Sequence, residues 1–206
     1  MTASLTIALA GNPNSGKTTL FNTLTGSRQH VGNYPGITVD TREGHLHFNG
    51  QALTIIDLPG TYSLTAYSPE EIVARNILIE QCPQVVVDVV DSTNLERNLY
   101  LSVQLMELGV PVIIALNMMD EADKQGLHID TEALAAKLGA GVVKTVGRTG
   151  RGKPELMQKC IDLGKEINTC VREPLFISYG PDLDPLIEDM TKRIAEAGFL
   201  TEWYPA

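Results

Sequence analysis

Short β-branched runs alternate along the chain with longer stretches whose apolar residues recur every three or four positions. The runs fall at 5–10, 41–48, 53–57, 85–90, 112–117 and 142–146. Val85-Val86-Val87 and Ile113-Ile114-Ala115-Leu116 are almost continuously apolar, as strands covered on both faces of a parallel sheet must be. Leu95, Leu99, Val103 and Met106 form one stripe at helical spacing, and Leu156, Cys160, Leu163 and Ile167 form another. Polar residues lie opposite each stripe, which predicts helices packed on that sheet. Asn49-Gly50 between two of the runs is a tight-turn signal and predicts one antiparallel hairpin at an edge. The expected fold is therefore α/β, a mainly parallel six-stranded sheet with one antiparallel edge hairpin.

The alternation stops near Glu173-Pro174, and Gly180-Pro181 breaks the chain. A new helix is expected beyond it, with Leu186, Met190 and Ile194 on one stripe, followed by Trp203 and Tyr204 with no later segment to bury them. This predicts two parts, residues 1–172 as one domain and residues 173–206 as the beginning of a truncated helical domain.

Composition narrows the function. With 206 residues, 43% apolar and 20% charged, the chain has ordinary globular usage, which excludes disordered and collagen-like classes. A net charge of −9 has the wrong sign for adhesion to phosphate backbones or anionic lipid, so no nucleic-acid partner is expected. No apolar run approaches the ~20 residues needed to span a bilayer. The amino terminus lacks the basic and apolar regions of a signal peptide. Three cysteines without a CxxC pair suit a reducing, cytoplasmic setting.

The chemistry begins at Gly11-Asn12-Pro13-Asn14-Ser15-Gly16-Lys17-Thr18, a complete GxxxxGK[ST] between a predicted strand and a predicted helix. Glycines let backbone N–H groups converge on phosphate, and the helix terminus adds its partial positive charge. Lys17 is expected between β- and γ-phosphates, the Thr18 hydroxyl on Mg²⁺, and Ser15, Gly16 and Thr19 along the nucleotide. Asp57-Leu58-Pro59-Gly60 closes a later strand. There Asp57 can hold the Mg²⁺ shell through water, and the Gly60 N–H can sense a γ-phosphate. Asn117-Met118-Met119-Asp120 closes another strand. The Asp120 carboxylate suits the paired ring N–H and amino donors of guanine, which adenine lacks, and Asn117 can brace this loop against the phosphate loop.

In order, these motifs resemble the translation-factor/Ras class of small GTPases and predict a P-loop NTPase G-domain. The flanks narrow the match: Thr19-Leu20-Phe21-Asn22, Val31-Gly32-Asn33-Tyr34-Pro35-Gly36-Ile37-Thr38-Val39, Thr61-Tyr62-Ser63-Leu64 and Asp91-Ser92-Thr93-Asn94-Leu95-Glu96-Arg97-Asn98-Leu99. Over residues 4–170 the chain resembles the cytosolic N-terminal G domain of the ferrous iron transport protein B (FeoB) family, among the TrmE-Era-like GTPases. The resemblance implies GTP and GDP as ligands and Mg²⁺ as cofactor. It also implies a GDI-like helical domain and a transmembrane part in the same protein, a place on the cytoplasmic face of the bacterial inner membrane, and room for a homo-oligomer. It makes Thr38 a Mg²⁺ ligand in a first switch over 28–40, with a second switch over 57–68.

Where a Ras-like chain would carry a water-orienting Gln, this one has Thr61. The resemblance implies that Asn14 helps bind K⁺ at the phosphates, with first-switch carbonyls near Gly32 and Tyr34 completing the shell. The expected activity is slow, K⁺-stimulated GTP hydrolysis, with Asn14, Lys17, Thr38 and Gly60 as its catalytic set. Two departures bear on affinity. The last base loop, Val146-Gly147-Arg148-Thr149-Gly150-Arg151-Gly152, lacks a Ser-Ala-like motif, and Met118 replaces the usual lysine. Three glycines make that loop costly to order, so modest affinity, fast product release and some ATP hydrolysis are expected. The backbone of Val146, Gly147 and Arg148 is expected to meet the base. Two other readings stand: an RNA- or ribosome-associated GTPase, disfavoured by the charge, and a nucleotide-sensing switch with negligible turnover, kept alive by Thr61.

Remaining polar residues receive plainer readings. His45 and His47 share a strand face, but no carboxylate or Cys neighbour completes a metal set with them, so they are expected to be exposed. Cys82 and Cys160 are expected to be buried or half-buried thiols, and Glu70 and Glu71 after Ser68-Pro69 to cap a helix. The polar segment 91–98 exceeds what packing asks for and is a candidate interface with the missing part.

Overall fold

The structure is a computed structural model, and it describes residues 4–26, 29–33, 39–166 and 177–197. The chain divides into two compact units, Met1–Pro174 and Leu175–Ala206.

In the first unit all six apolar runs form strands: β1 (Leu5–Gly11), then β3 (Asp40–Phe48), β4 (Gln51–Asp57), β5 (Val85–Asp91), β6 (Val112–Asn117) and β7 (Gly141–Lys144). A seventh, β2 (Gln29–Asn33), is added at one edge, and the order is β2-β3-β4-β1-β5-β6-β7. From β4 through β7 every pair is parallel, whereas β3 runs antiparallel to both β2 and β4. Nothing in Gln29-His30-Val31-Gly32-Asn33 alternates, so only register with β3 (His30 opposite Glu43, Gly32 opposite Thr41) makes it a strand. Near the other edge, β7 stops at Lys144. Thr145 leaves the sheet to open a loop, its N–H still donating to Leu116 O at 2.7 Å.

Helices α1 (Lys17–Thr25) and α6 (Lys153–Glu166) cover one face. There Leu20, Phe21, Leu156, Met157 and Cys160 pack with Ile7, Leu9, Val87, Val89 and Ile113 in one cluster. Alternation sends Asp88 to the opposite face, where Ser102 of α3 (Leu95–Glu107) reaches it. Along α3 the buried positions are Asn98, Leu101, Ser102, Leu105 and Met106. The expected stripe of Leu95, Leu99 and Val103 is only half-buried. The helix is rotated because two polar residues have partners inside. Ser102 donates to Asp88 at 2.5 Å, while Asn98 accepts from Asp91 N–H at 3.3 Å and donates to Asn94 O at 2.9 Å. Ordinary hydrophobicity cannot register that compensation.

Within the polar segment 91–98, bonds of this kind occupy Asp91, Thr93, Asn94 and Asn98. Asp91 caps the turn by accepting from the Thr93 N–H and hydroxyl, at 2.9 and 2.7 Å, and from the Asn94 amide at 3.0 Å. Helix α2 (Pro69–Glu80) begins at a full capping box of Ser68 and Glu71, as its sequence predicts. Two shorter helices, α4 (Met119–Lys124) and α5 (Thr131–Leu138), follow β6. The second unit contains α7 (Asp184–Glu196), whose Leu186, Met190 and Ile194 are exposed. Among the described residues no helix is long and apolar enough to cross a membrane.

Because β1, β4, β5 and β6 are parallel, their carboxyl ends share one edge. The loops leaving β1, β4 and β6 carry the three predicted motifs, and that edge is where open α/β sheets bind ligands.

Candidate functional site

At the phosphate end, β1 runs into a loop folded back by left-handed backbone at Asn14 (φ 68°) and Gly16 (φ 83°). Asn tolerates that region better than other non-glycine residues. Gly16 is required for a second reason, since a Cβ there would drive into the Asn117 amide. No side chain caps α1, so its first N–H groups stay available to an anion. Asn12, Asn14, Lys17, Thr18, Gly60 and Met118 line a cleft of about 390 Å³. Inside it Lys17 Nζ donates to Asp57 Oδ1 and to Leu58 O, each at 2.5 Å, with both charged side chains under a tenth exposed. Gly60 lies against Pro13, at contact distance from where its Cβ would stand (3.5 Å). Thr18 and Thr19 are exposed at the start of α1. The buried Thr61 turns away, donating its hydroxyl proton to Ser63 O at 2.5 Å.

The base end is built around Asn117, 2% exposed. Its amide nitrogen donates to Ser15 O at 2.9 Å and its oxygen accepts from Gly147 N–H at 2.8 Å. One side chain thus ties the phosphate loop to the last loop, the brace expected of it. A second cleft of about 250 Å³ opens beside it, lined among others by Thr19, Met118, Asp120, Glu121, Gly147 and Arg148. Met118 takes up left-handed backbone (φ 59°) to cap α4, an unfavourable conformation for such a residue that turns Asp120 into the first turn. Arg148 Nη2 donates to Asp120 Oδ2 at 2.6 Å and lies 3.9 Å from Glu121 Oε1.

A family model described as ferrous iron transport protein B matches residues 5–160. The chain belongs to that family. Over 189 residues it is 51% identical to a Porphyromonas gingivalis Fe(2+) transport protein A/Fe(2+) transporter FeoB fusion protein, covering 91% of this chain and 22% of that one. Over 152 residues it is 53% identical to the Escherichia coli K12 Fe(2+) transporter FeoB, covering 72% and 20%. The chain therefore spans about a fifth of the length of these curated relatives. Among solved structures it is similar to the cytosolic domain of the T. maritima FeoB iron transporter in GMPPNP form. The TM-score is 0.88 at 40% identity, covering 93% of this chain and 75% of that one. The fold is the FeoB G-domain fold.

The last base loop, expected to be costly to order, is held by a set of bonds to its own backbone and to α1. Val146 N–H donates to Arg151 O at 3.0 Å and Gly150 N–H to Val146 O at 2.9 Å. Thr23 donates to Gly147 O at 2.6 Å, and Lys153 Nζ to Thr23 O at 2.7 Å. Thr23 and Lys153 are supports that sequence reading missed. They lie far from the loop in the chain and carry no motif.

The loop between β4 and α2, expected to be the second switch, is likewise held. Glu71 accepts from the Ser63 hydroxyl at 2.8 Å, Thr65 at 3.2 Å and Tyr67 N–H at 2.9 Å. Desolvation raises the pKa of this carboxyl, but these donors, with Ser68, outweigh it and the pKa is lowered. Helix α3 adds two contacts, Leu64 N–H to Gln104 Oε1 at 2.8 Å and the Arg97 guanidinium 4.5 Å over the Tyr62 ring. Glu71 was legible as a cap, not as the hub of that loop.

Gly32 sits in β2 at the sheet edge, while Tyr34 and Thr38 lie outside the described residues. Cys160 is buried, with its thiol pKa pushed up by desolvation, and Cys82 is half-buried. His45 does have an acidic neighbour, Glu43 at 3.4 Å, because alternate strand residues share a face. Among the described residues, however, no group of three metal-ligating side chains is assembled.

Proposed function

We propose that this chain binds GTP with Mg²⁺ and hydrolyses it slowly. The observation that carries the reading is the Asn117 brace, which joins a complete phosphate loop to a base loop bearing Asp120 in one continuous cleft edge. The T. maritima relative described in GMPPNP form supports a guanine nucleotide as its occupant.

In this reading the backbone of Ser15, Gly16, Lys17, Thr18 and Thr19 cradles the phosphates. Lys17 leaves the Asp57 carboxylate and Leu58 carbonyl for the β/γ oxygens, and the Gly60 N–H reads the γ-phosphate. Asp120 accepts from guanine N1–H and the amino group, Met118 covers the ring edge, and backbone at Val146, Gly147 and Arg148 faces the base. Gly147 N–H is already given to Asn117, so the guanine carbonyl falls to the Arg148 amide. The donor sets fit the expected ions. The Thr18 hydroxyl, Asp57 carboxylate and, in the first switch, Thr38 are hard oxygens suited to Mg²⁺, which neutralises phosphate charge when bound. The exposed Asn14 on the cleft wall, with carbonyls near Gly32 and Tyr34, suits K⁺. Thr61 donates to Ser63 and does not reach for a nucleophile, so hydrolysis without a Gln rests on electrostatic stabilisation. Residues 173–206 begin a helical domain, with the membrane part of a ferrous iron transporter beyond it. The switches couple nucleotide state to Fe²⁺ movement from the cytoplasmic face of the inner membrane, in a protein with room to form homo-oligomers.

Phosphate release at saturating GTP and Mg²⁺, in K⁺ and in Na⁺ at matched ionic strength, tests this. Faster release in K⁺ is expected, and equal rates would remove the monovalent-ion role. Thr61 also favours a second reading, a nucleotide-sensing switch. Tight GTP binding with no phosphate released in either salt would select it.

A further inference from the structure

The base-recognition carboxylate is already engaged. Arg148 Nη2 sits 2.6 Å from Asp120 Oδ2, charge on charge, across the mouth of the base cleft. Arg148 can hold this place because its loop is pinned on both sides, by Asn117 on Gly147 N–H and by Thr23 on Gly147 O. Its side chain is 70% exposed, so no packing holds it there beyond the ion pair. A second acceptor waits at 3.9 Å, Glu121 Oε1. We infer that Arg148 is a latch on Asp120, and that guanine enters by displacing it onto Glu121.

The inference rests on the reading of Asp120 as the guanine-recognising group and deepens it. A guanidinium and a guanine offer Asp120 the same thing, paired N–H donors in one plane. Guanine therefore replaces Arg148 without leaving the carboxylate unpaired, and Glu121 keeps the displaced guanidinium from being stranded. Adenine presents an acceptor where guanine has its ring N–H, so it cannot make the exchange. The latch thus makes Arg148 a specificity-determining residue as well as a brake. Its cost to binding is the fraction of time Asp120 is covered. Exposed ion pairs are weak, which limits that cost to about two- to fivefold.

The test is stopped-flow association of a fluorescent GDP with the whole chain, comparing wild type, Arg148→Ala, Arg148→Lys and Asp120→Ala at roughly 50 and 500 mM salt. At low salt Arg148→Ala should bind about two- to fivefold faster than wild type, and the advantage should shrink toward unity at high salt. The direction is diagnostic, because removing a positive charge from an acidic protein by itself slows capture of an anion. Arg148→Lys, without the planar fork, should fall between. An Arg148→Ala rate equal to or below wild type at low salt, with Asp120→Ala still weakening GDP, would overturn the latch alone. Unchanged GDP affinity in Asp120→Ala would overturn the base assignment and the latch with it.

Discussion

The two ends of the cleft solve the same electrostatic problem at different depths. At the phosphate end, Lys17 and Asp57 pair with side chains 9% and 7% exposed; at the base end, Arg148 and Asp120 pair at 70% and 28%. Each pair sets a charge that lines the cleft against an opposite charge on a neighbour. Burial decides how firmly each pair holds. A buried pair is costly to break one-sidedly because the survivor has no water to turn to, whereas an exposed pair trades partners at little cost. The deep pair therefore suits an obligatory contact made to every nucleotide, and the shallow pair suits a reversible selection step. Asp88 gives the third case, a carboxyl buried like Asp57 whose partner among the described residues is the Ser102 hydroxyl, so that desolvation raises its pKa to about 7.

The largest expected effect is at the deep pair. Lys17→Ala should reduce GTP turnover by on the order of 100-fold or more, measured by phosphate release. It also strands Asp57, and denaturant unfolding should show a loss of roughly 3 kcal/mol. An unchanged stability would mean the burial contrast carries no energy.

Next is Asp120→Asn, which replaces a double acceptor with a group that also donates. GDP affinity should fall by roughly 100-fold and that for xanthosine diphosphate should rise, both read by titration calorimetry. Equal losses for the two would argue against base recognition at Asp120.

Asp88 tests the unpaired case through pH. In the folded chain its carboxyl holds its proton up to about 7, while in the unfolded chain it loses it near the ordinary aspartate value of 3.8. The folded state binds more protons between those values, so this contribution to stability is complete below about pH 4 and is lost as pH rises through 7. Asp88→Asn should flatten the fall in stability between pH 5 and pH 8, by about 1–3 kcal/mol, in urea titrations at several pH values.

The smallest effect belongs to Glu121→Gln. It weakens the resting place of the displaced Arg148 and should slow fluorescent GDP association by about twofold or less at low salt. A faster rate would mean that Glu121 retains Arg148 on the latch and does not receive it.

Much of the site is legible in the chain itself. The phosphate loop, Asp57, Gly60, Asn117 and Asp120 each stand where a strand ends, and strand ends follow from apolar runs. The same reasoning misplaced the buried stripe of α3, since Asn98 and Ser102 are buried through partners on β5 and near its end. It also counted the glycines of 147–152 as an ordering cost without the supports that Thr23, Asn117 and Lys153 bring to that loop from three different elements. Strand β2 escaped for a related reason, because its strand character lies in its register with β3.

By itself the sequence determined what is local and periodic. It set the alternation of strand and helix, the glycine positions that a phosphate loop needs, the capping box at Ser68, and the carboxylates available at the sheet's edge. The tertiary structure alone decided who meets whom across distance: that Lys17 spends its charge on Asp57, that Thr23 and Lys153 support the last base loop, and that Arg148 lies on Asp120. Backbone preference and hydrophobic period act within a few residues. A pairing between side chains dozens of positions apart exists only once the sheet has fixed where each loop begins.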